Sequence, residues 1–293
     1  MPSGARHEEK GILYVVSTPI GNLEDITLRA IRILREVDMI AAENISRTRV
    51  LLNHYDIKKE LISYRRENQK GITQRIIKSL NSGYKIALVS DAGTPGISDP
   101  GSYLVSKVMQ EGLKVVPIPG VSAITAAISV SGMSQQGFVF IGFLPSTTGK
   151  RKKRLNSLKS EILPVIIFEA PHRLIKTLRE IRDIMGNREI VLLKELTKLH
   201  EHITRGHIDD ILKRLEGMDI KGEYVIIVSG KSGEPLDRVD EESLFLMDRM
   251  LRDGLSTRDV ANIISREGRV PYRRAYKKCL ERKRLFYGSQ EKA

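Results

Sequence analysis

The feature that most constrains this chain is an alternation of short apolar runs with stretches of helical period. The runs are Ile12–Ser17, Asp38–Ala42, Leu61–Tyr64, Lys85–Ser90, Lys114–Pro117, Gly137–Leu144, Leu163–Glu169, Glu189–Leu193 and Tyr224–Ser229. Each is read as a strand. Between them apolar residues fall at helical spacing, as in Thr27–Val37, where Ala30, Ile31, Leu34 and Val37 form one stripe. Continuous apolar strands separated by amphipathic helices imply α/β layers on largely parallel sheets. The turn Pro117-Ile-Pro-Gly120 divides two such blocks, so an N-terminal α/β subdomain is expected over 11–119 and a second over 120–230. Gly230-Lys-Ser-Gly-Glu-Pro235 reads as a linker. Beyond it, 236–288 is expected to form a small basic helical unit. An acidic stretch near Glu241 comes first, then Ser256 or Thr257 is placed to cap a helix running to Arg266, and the Gly268–Pro271 turn precedes a last helix. This helix-turn-helix-like shape serves nucleic-acid binding and plain packing alike.

Charge narrows the class of partner. The 293 residues hold 49 Lys and Arg against 36 Asp and Glu, a net of +13. Arg252–Arg284 alone holds eleven basic residues against four acids, a net of +7, and a second run, Lys150–Arg154, follows a Ser/Thr/Gly loop. Such an excess favours polyanions through phosphate contacts and long-range steering. The single cysteine, Cys279, excludes an intrachain disulfide and a thiolate zinc cluster. No apolar stretch is long enough to span a bilayer, so no membrane association is expected. The leader Met1–Lys10 has no apolar core, so a secretory signal is not expected and the cytoplasm is the expected compartment.

Several chemistries lack their signatures. No two glycines are separated by one residue, so the G-x-G-x-x-G dinucleotide fingerprint is absent, as is the G-x-G opening of the commonest methyltransferase fold. Gly96–Gly101 has P-loop spacing, but Ser102 stands where lysine must neutralise the β/γ-phosphates. There is no G-x-S-x-G and no H-E-x-x-H. His200, His202 and His207 fit no familiar zinc spacing, and no metal is expected.

Three Gly/Pro-rich turns follow strand ends, where α/β proteins build ligand crevices: Ser17–Asn22, Ser90–Gly101 and Pro117–Ala123. Glycines let backbone approach a ligand, and prolines hold the loops rigid. The middle turn carries Asp91 and Asp99, which suits a ligand with cationic groups and a ribose.

These residues also carry a family likeness. Ile12-Leu-Tyr-Val-Val-Ser-Thr-Pro-Ile-Gly-Asn-Leu-Glu-Asp-Ile-Thr27 resembles the opening of the bacterial ribosomal RNA small subunit methyltransferase I family, 16S rRNA cytidine 2′-O-methyltransferases of the tetrapyrrole methylase superfamily. The similarity continues through Ser90–Gly101, Pro117–Ala123, Phe168–Arg173, Glu195–Lys198, Arg205-Gly206 and Gly222–Val225 into the C-terminal unit. It implies two α/β subdomains with S-adenosyl-L-methionine in the cleft between them, in a homodimer. By the same resemblance, cofactor contacts come from Pro19, Ile20, Asp91, Gly93, Thr94, Ser122, Ala123 and Phe168. The implied substrate is a decoding-centre cytidine of 16S rRNA in the small ribosomal subunit, with the C-terminal unit as an RNA-facing accessory.

The implied chemistry is an in-line attack of a ribose 2′-oxygen on a sulfonium methyl. Alignment supplies most of the rate, and a positioned base adds about 10²–10⁴-fold. Glu43, Glu169, Glu195 and Lys198 are the candidate bases, with Glu195 and Lys198 favoured because both follow a strand end beside basic residues. Lys198 requires a depressed pKa to act as a base, and otherwise holds a phosphate or the developing alkoxide. The chain departs from the family in places. Where Ala-Glu-Asp-Thr-Arg is common, this chain reads Ala42-Glu43-Asn44-Ile45-Ser46, with Arg47 and Thr48 following. A histidine frequent in the family is missing around Tyr64–Asn68, and His202 stands where a second acid is usual. No catalytic role passes to Asn44 or Ser46. The rival readings are methylation of a tetrapyrrole, which the basic C-terminal unit opposes, and an RNA- or ribosome-binding assembly factor with a cofactor pocket but no turnover, which the altered segment favours.

Overall fold

The computed structural model describes residues 10–133, 137–231, 241–266, 270 and 272–287. The described residues up to Lys231 form one compact unit, and those from Glu241 a second. The first unit holds two five-stranded sheets. Strands β1 (Ile12–Val16), β2 (Met39–Ala42), β3 (Glu60–Ser63), β4 (Ile86–Val89) and β5 (Lys114–Ile118) pair in the order β3-β2-β4-β1-β5, all parallel. Helices α1 (Leu28–Glu36), α2 (Ile45–His54), α3 (Gln69–Asn81) and α4 (Ser102–Gln110) make the crossovers. Both β2 and β4 are buried along their whole length, as covered parallel strands must be. The Thr27–Val37 stripe becomes α1, capped by Thr27 Oγ1 accepting from the Ala30 N–H at 3.1 Å. The chain leaves β1 toward β2 and β3, then returns through β4 to the other side. All five strands therefore end on one edge of the sheet, where the loops after β1, β2, β4 and β5 line one crevice.

The second sheet departs from the expectation of parallel strands. It runs β6 (Val139–Phe143), β7 (Val165–Glu169), β10 (Tyr224–Val228), β8 (Glu189–Lys194), β9 (His202–His207). Only β6 and β7 are parallel, and the other pairings are antiparallel. The reason is β9, a strand that apolar periodicity does not reveal. It follows β8 after a short loop and pairs with it as a hairpin, so β10 returns antiparallel between β7 and β8. Its sequence, His-Ile-Thr-Arg-Gly-His, lies on the sheet edge and is largely exposed. Polar residues protect such an edge from further pairing and erase the hydrophobic signal. The loosely clustered histidines thus belong to this edge and its leading loop. Helices α5 (Ala123–Ser131), α6 (Thr148–Ser157), α7 (Leu174–Met185) and α8 (Ile208–Leu215) complete this half.

The Lys150–Arg154 run lies on α6, and its residues part ways there. Arg151 and Leu155, four apart, face inward, while Lys152, Lys153 and Arg154 face solvent. Arg151 is 2% exposed and meets Glu180 of α7 through two hydrogen bonds, at 2.5 and 2.8 Å. The Arg151 hydrogen bond holds the Glu180 carboxyl below its usual range. The pair is therefore intact at neutral pH and is lost as the pH falls through that lowered value. A Glu180→Ala variant strands a buried guanidinium and is expected to lose about 3–5 kcal/mol in urea unfolding. An Arg151→Met, Glu180→Leu double variant is expected to recover most of it. Equal loss in both variants overturns this account.

The second unit packs α9 (Glu241–Arg252), α10 (Thr257–Arg266) and α11 (Tyr272–Tyr287) around Met247, Leu251, Val260, Ile264 and Cys279. Ser256 caps α10, accepting the Asp259 N–H at 3.2 Å and donating to its carboxylate at 2.6 Å. Burial, with Asp248 nearby, pushes the Cys279 thiol up to about 11, so this cysteine is a core residue rather than a reactive one. Most of the expected Gly230–Pro235 linker and of the Gly268–Pro271 turn lies outside the described residues, as does the leader Met1–Lys10 apart from Lys10. Among the described residues no helix is long and apolar enough to cross a membrane.

Candidate active site

The crevice is built by fastening two loops together. The Thr18 and Gly93 backbones exchange hydrogen bonds at 2.9 and 3.0 Å, Ser17 Oγ meets Thr94 Oγ1 at 2.8 Å, and Thr18 Oγ1 donates to the Ser90 carbonyl at 3.1 Å. These bonds hold the loop after β1 against the loop after β4. Between them and the second sheet lies a cleft of about 440 Å³, within the range that encloses a small ligand. Ile20, Asp91, Gly93, Thr94, Ser122, Ala123 and Phe168 all line it. Pro19 instead lines a smaller pocket of about 90 Å³, which shares Arg47 and Asp91 with the cleft. The far wall is aromatic: Phe168 makes edge contacts with Phe140 at 5.0 Å and with Phe143 at 5.7 Å between ring centroids. Phe143 lines the cleft and is missed by a reading of the turns alone, because it lies in β6.

Carboxylates dominate the polar lining: Glu43, Asp91, Asp99, Glu169 and Glu223. Their environments separate them. Burial pushes the Glu43 carboxyl up, and the like charge of Asp99 adds to it, against a hydrogen bond from the Asp91 N–H at 3.4 Å. Burial and Asp91 push Asp99 up as well, against the attraction of Arg66. Asp91 is held differently. Its Oδ2 lies 3.2 Å from Arg47 Nη1, while Oδ1 is buried with no hydrogen-bond partner. A buried acceptor without a donor is uncommon; among the described residues Asp25 Oδ2, Arg173 Nε and Thr197 Oγ1 share that status, and of the four residues only Asp91 lines the cleft. Glu169 is tied internally, accepting from Thr177 Oγ1 at 2.6 Å and the Ala170 N–H at 2.9 Å, with Arg173 at 3.2 Å.

Glu195 and Lys198 do not line the cleft; they brace its rim. Lys198 Nζ donates to Glu195 at 3.0 Å and to Glu223 at 2.8 Å, and Glu195 Oε1 accepts the Glu223 N–H at 2.8 Å. Burial raises the Glu195 carboxyl, but the Glu223 and Lys198 hydrogen bonds outweigh it and the net shift is downward. Burial lowers Lys198, and its two carboxylate partners outweigh that, leaving it raised. The condition for Lys198 to serve as a base is thus not met: the ammonium form is the favoured one. The loop is tight enough to need two glycines. A Cβ on Gly222, whose φ is +93°, would lie 2.7 Å from the Glu195 side chain, and one on Gly21 would lie 2.5 Å from the Lys198 side chain. Glu195 and Thr197 themselves have positive φ, of 52° and 66°. For a β-branched threonine this is a strained conformation.

The altered segment after Glu43 has a structural account. Asn44 caps α2, its side chain accepting the Ser46 and Arg47 N–H groups at 3.0 and 3.4 Å. Position 46 is serine, and the next residue, Arg47, places its guanidinium 3.2 Å from Asp91.

Two α/β halves, glycine- and proline-rich loops at the carboxyl strand ends and a carboxylate-lined cleft with an aromatic wall define a methylase of the tetrapyrrole type. The family described as Tetrapyrrole (Corrin/Porphyrin) Methylases matches residues 12–212. Within it, the chain belongs to the ribosomal RNA small subunit methyltransferase I family. The proteins of that name from Thermotoga maritima and Synechocystis sp. are 48% and 40% identical to it, over 222 and 273 residues. These alignments cover 75% and 92% of this chain, and 99% and 98% of the relatives. The fold is also that of uroporphyrin-III C-methyl transferase from Thermus thermophilus in complex with S-adenyl homocysteine (TM-score 0.55, 17% identity, 75% of this chain and 97% of that one). Diphthine synthase is similar to a like extent (TM-score 0.57, 16% identity, 75% and 90%).

Proposed function

We propose that this protein transfers a methyl group from S-adenosyl-L-methionine to the ribose 2′-hydroxyl of a cytidine in the decoding centre of 16S rRNA, acting on the small ribosomal subunit as a cytoplasmic homodimer. The observation that carries the reading is Asp91, a carboxylate lining a methylase-type cleft with one oxygen on Arg47 and the other buried and unpartnered. The donor set fits the cofactor: carboxylates for its cationic groups and ribose hydroxyls, and the Phe168 and Phe143 faces with Ile20 and Ile124 for its flat base. When bound, S-adenosyl-L-methionine supplies an activated methyl on a sulfonium.

The chain's own residues then have the following parts. Asp91, Gly93 and Thr94, with Ser122 and Ala123, hold the cofactor, and Arg47 fixes the Asp91 carboxylate. Glu43 takes the proton from the 2′-hydroxyl: it lines the cleft, and burial raises its carboxyl, which makes it a stronger base than an ordinary glutamate once ionised. Glu195 and Lys198 hold the Glu223 backbone and side chain at the rim rather than touching the reacting atoms. The division into 11–119, 120–230 and 236–288 belongs to this proposal, with the net +7 of Arg252–Arg284 assigned to RNA. The names of the relatives support an RNA substrate over a tetrapyrrole.

The test is methyl transfer from labelled S-adenosyl-L-methionine to small ribosomal subunits lacking their 2′-O-methyl marks, with the product mapped by mass spectrometry. One methylated ribose in the decoding centre is the expected result. Cofactor binding without transfer would replace this reading by that of an RNA- or ribosome-binding assembly factor.

A further inference from the structure

A cleft lined by Glu43, Asp91, Asp99, Glu169 and Glu223 is a poor place to bring a polyanion, since each carboxylate repels an approaching phosphate. The turn between β3 and α3 answers that repulsion. Arg65 Nε donates to the Glu43 carbonyl at 3.1 Å, and Arg66 Nη2 donates to the Ser98 carbonyl at 2.8 Å. Both acceptors belong to residues lining the cleft. The turn itself is pinned at each end. Tyr64 is fully buried, with its hydroxyl 3.2 Å from Thr73 Oγ1. Asn68 Oδ1 accepts the Arg65 N–H at 2.7 Å, while its amide donates to the Ser63 carbonyl at 3.0 Å. Each guanidinium thus spends one of its five N–H donors on a cleft carbonyl. Among the described residues the terminal nitrogens of Arg65 make no other hydrogen bond, and both side chains are exposed.

We infer that Arg65 and Arg66 form a phosphodiester subsite at the mouth of the cleft, which grips the substrate strand beside the target ribose. The inference rests on the RNA-methylating reading above and gives it a docking point. A planar guanidinium with one edge already anchored loses little freedom on binding and offers the paired donors that a phosphate accepts. Its position beside Glu43 and Ser98 places two positive charges where the carboxylates would otherwise dominate. Lysines in these places would supply charge without the fork.

The experiment compares wild type, an Arg65→Ala, Arg66→Ala variant and an Arg65→Lys, Arg66→Lys variant. It measures KM and kcat on unmethylated small subunits, binding to those subunits between 50 and 200 mM salt, and calorimetric affinity for S-adenosyl-L-methionine. The alanine variant is expected to raise KM at least about tenfold and to flatten the log–log salt slope by about 1.4–1.8, the loss of two phosphate contacts. Its kcat and cofactor affinity are expected to stay within about threefold of wild type, and the lysine variant is expected to keep most of the salt slope with an intermediate KM. Unchanged KM and slope overturn the subsite. So does a tenfold loss of cofactor affinity with an unchanged slope, which would make these arginines braces of the cleft loops. If wild type binds subunits without methylating them, the enzymatic reading fails, yet the salt slopes of the variants still decide the subsite.

Discussion

Replacing Asp91 with alanine is expected to weaken S-adenosyl-L-methionine binding by at least about 100-fold. The side chain stands where β4 ends, with Oδ2 on Arg47 and Oδ1 buried and unpartnered. Hydrogen bonds to a charged group contribute about 1.5–3 kcal/mol each, and every 1.4 kcal/mol is tenfold in affinity. The alanine variant loses the acceptor and also leaves Arg47 without its carboxylate, putting a bare positive charge against a cationic ligand. Asp91→Asn separates these effects: it keeps an acceptor of the same shape without the charge and is expected to fall between wild type and alanine. Titration calorimetry reads both. An unchanged affinity in Asp91→Ala removes this cleft as the cofactor site.

What was legible beforehand follows from the reach of each signal. Strands of the first sheet announce themselves because both faces are buried, so Met39–Ala42 and Ile86–Val89 contain no polar residue. The cap of the Thr257–Arg266 helix is a local signal, and sequence narrows it to Ser256 or Thr257; the structure selects Ser256. The edge strand His202–His207 carries no apolar pattern, since its partner β8 supplies the pairing and solvent supplies the rest. Without it the second sheet reads as parallel. Arg151 reads as one more positive charge in a basic run until its partner Glu180 is known, and that partner comes from another helix. In the cleft, turns with glycine and proline point to the loops, but not to what faces them. Glu43 and Asp91 follow different strands, and the Asp91 N–H that meets the Glu43 carboxylate is a product of the β2–β4 pairing. The bracing of Glu223 by Glu195 and Lys198 likewise depends on β8 and β10 lying side by side.

The base is where the physical environment discriminates most sharply between candidates of one chemical type. Glu43 and Glu195 are both carboxylates beyond a strand end, yet burial and Asp99 raise one, while Glu223 and Lys198 lower the other. A raised carboxylate is the stronger base once ionised, and Glu43 is the one of the two that lines the cleft. Glu43→Gln preserves size and an acceptor for the Asp91 N–H but cannot take a proton. It is expected to lower kcat by about 10²–10⁴-fold, with cofactor affinity within about threefold of wild type. The pH profile supplies an independent sign. Activity requires the ionised form, so wild-type kcat falls as the pH drops through the raised Glu43 value, at a higher pH than an ordinary glutamate would give. That acid limb is expected to disappear in Glu43→Gln. Glu195→Gln is expected to disturb the rim, raising KM for the subunit with the acid limb retained. A Glu43→Gln variant as fast as wild type, with the limb intact, would move the base away from β2 and leave alignment of the reacting atoms to supply the rate.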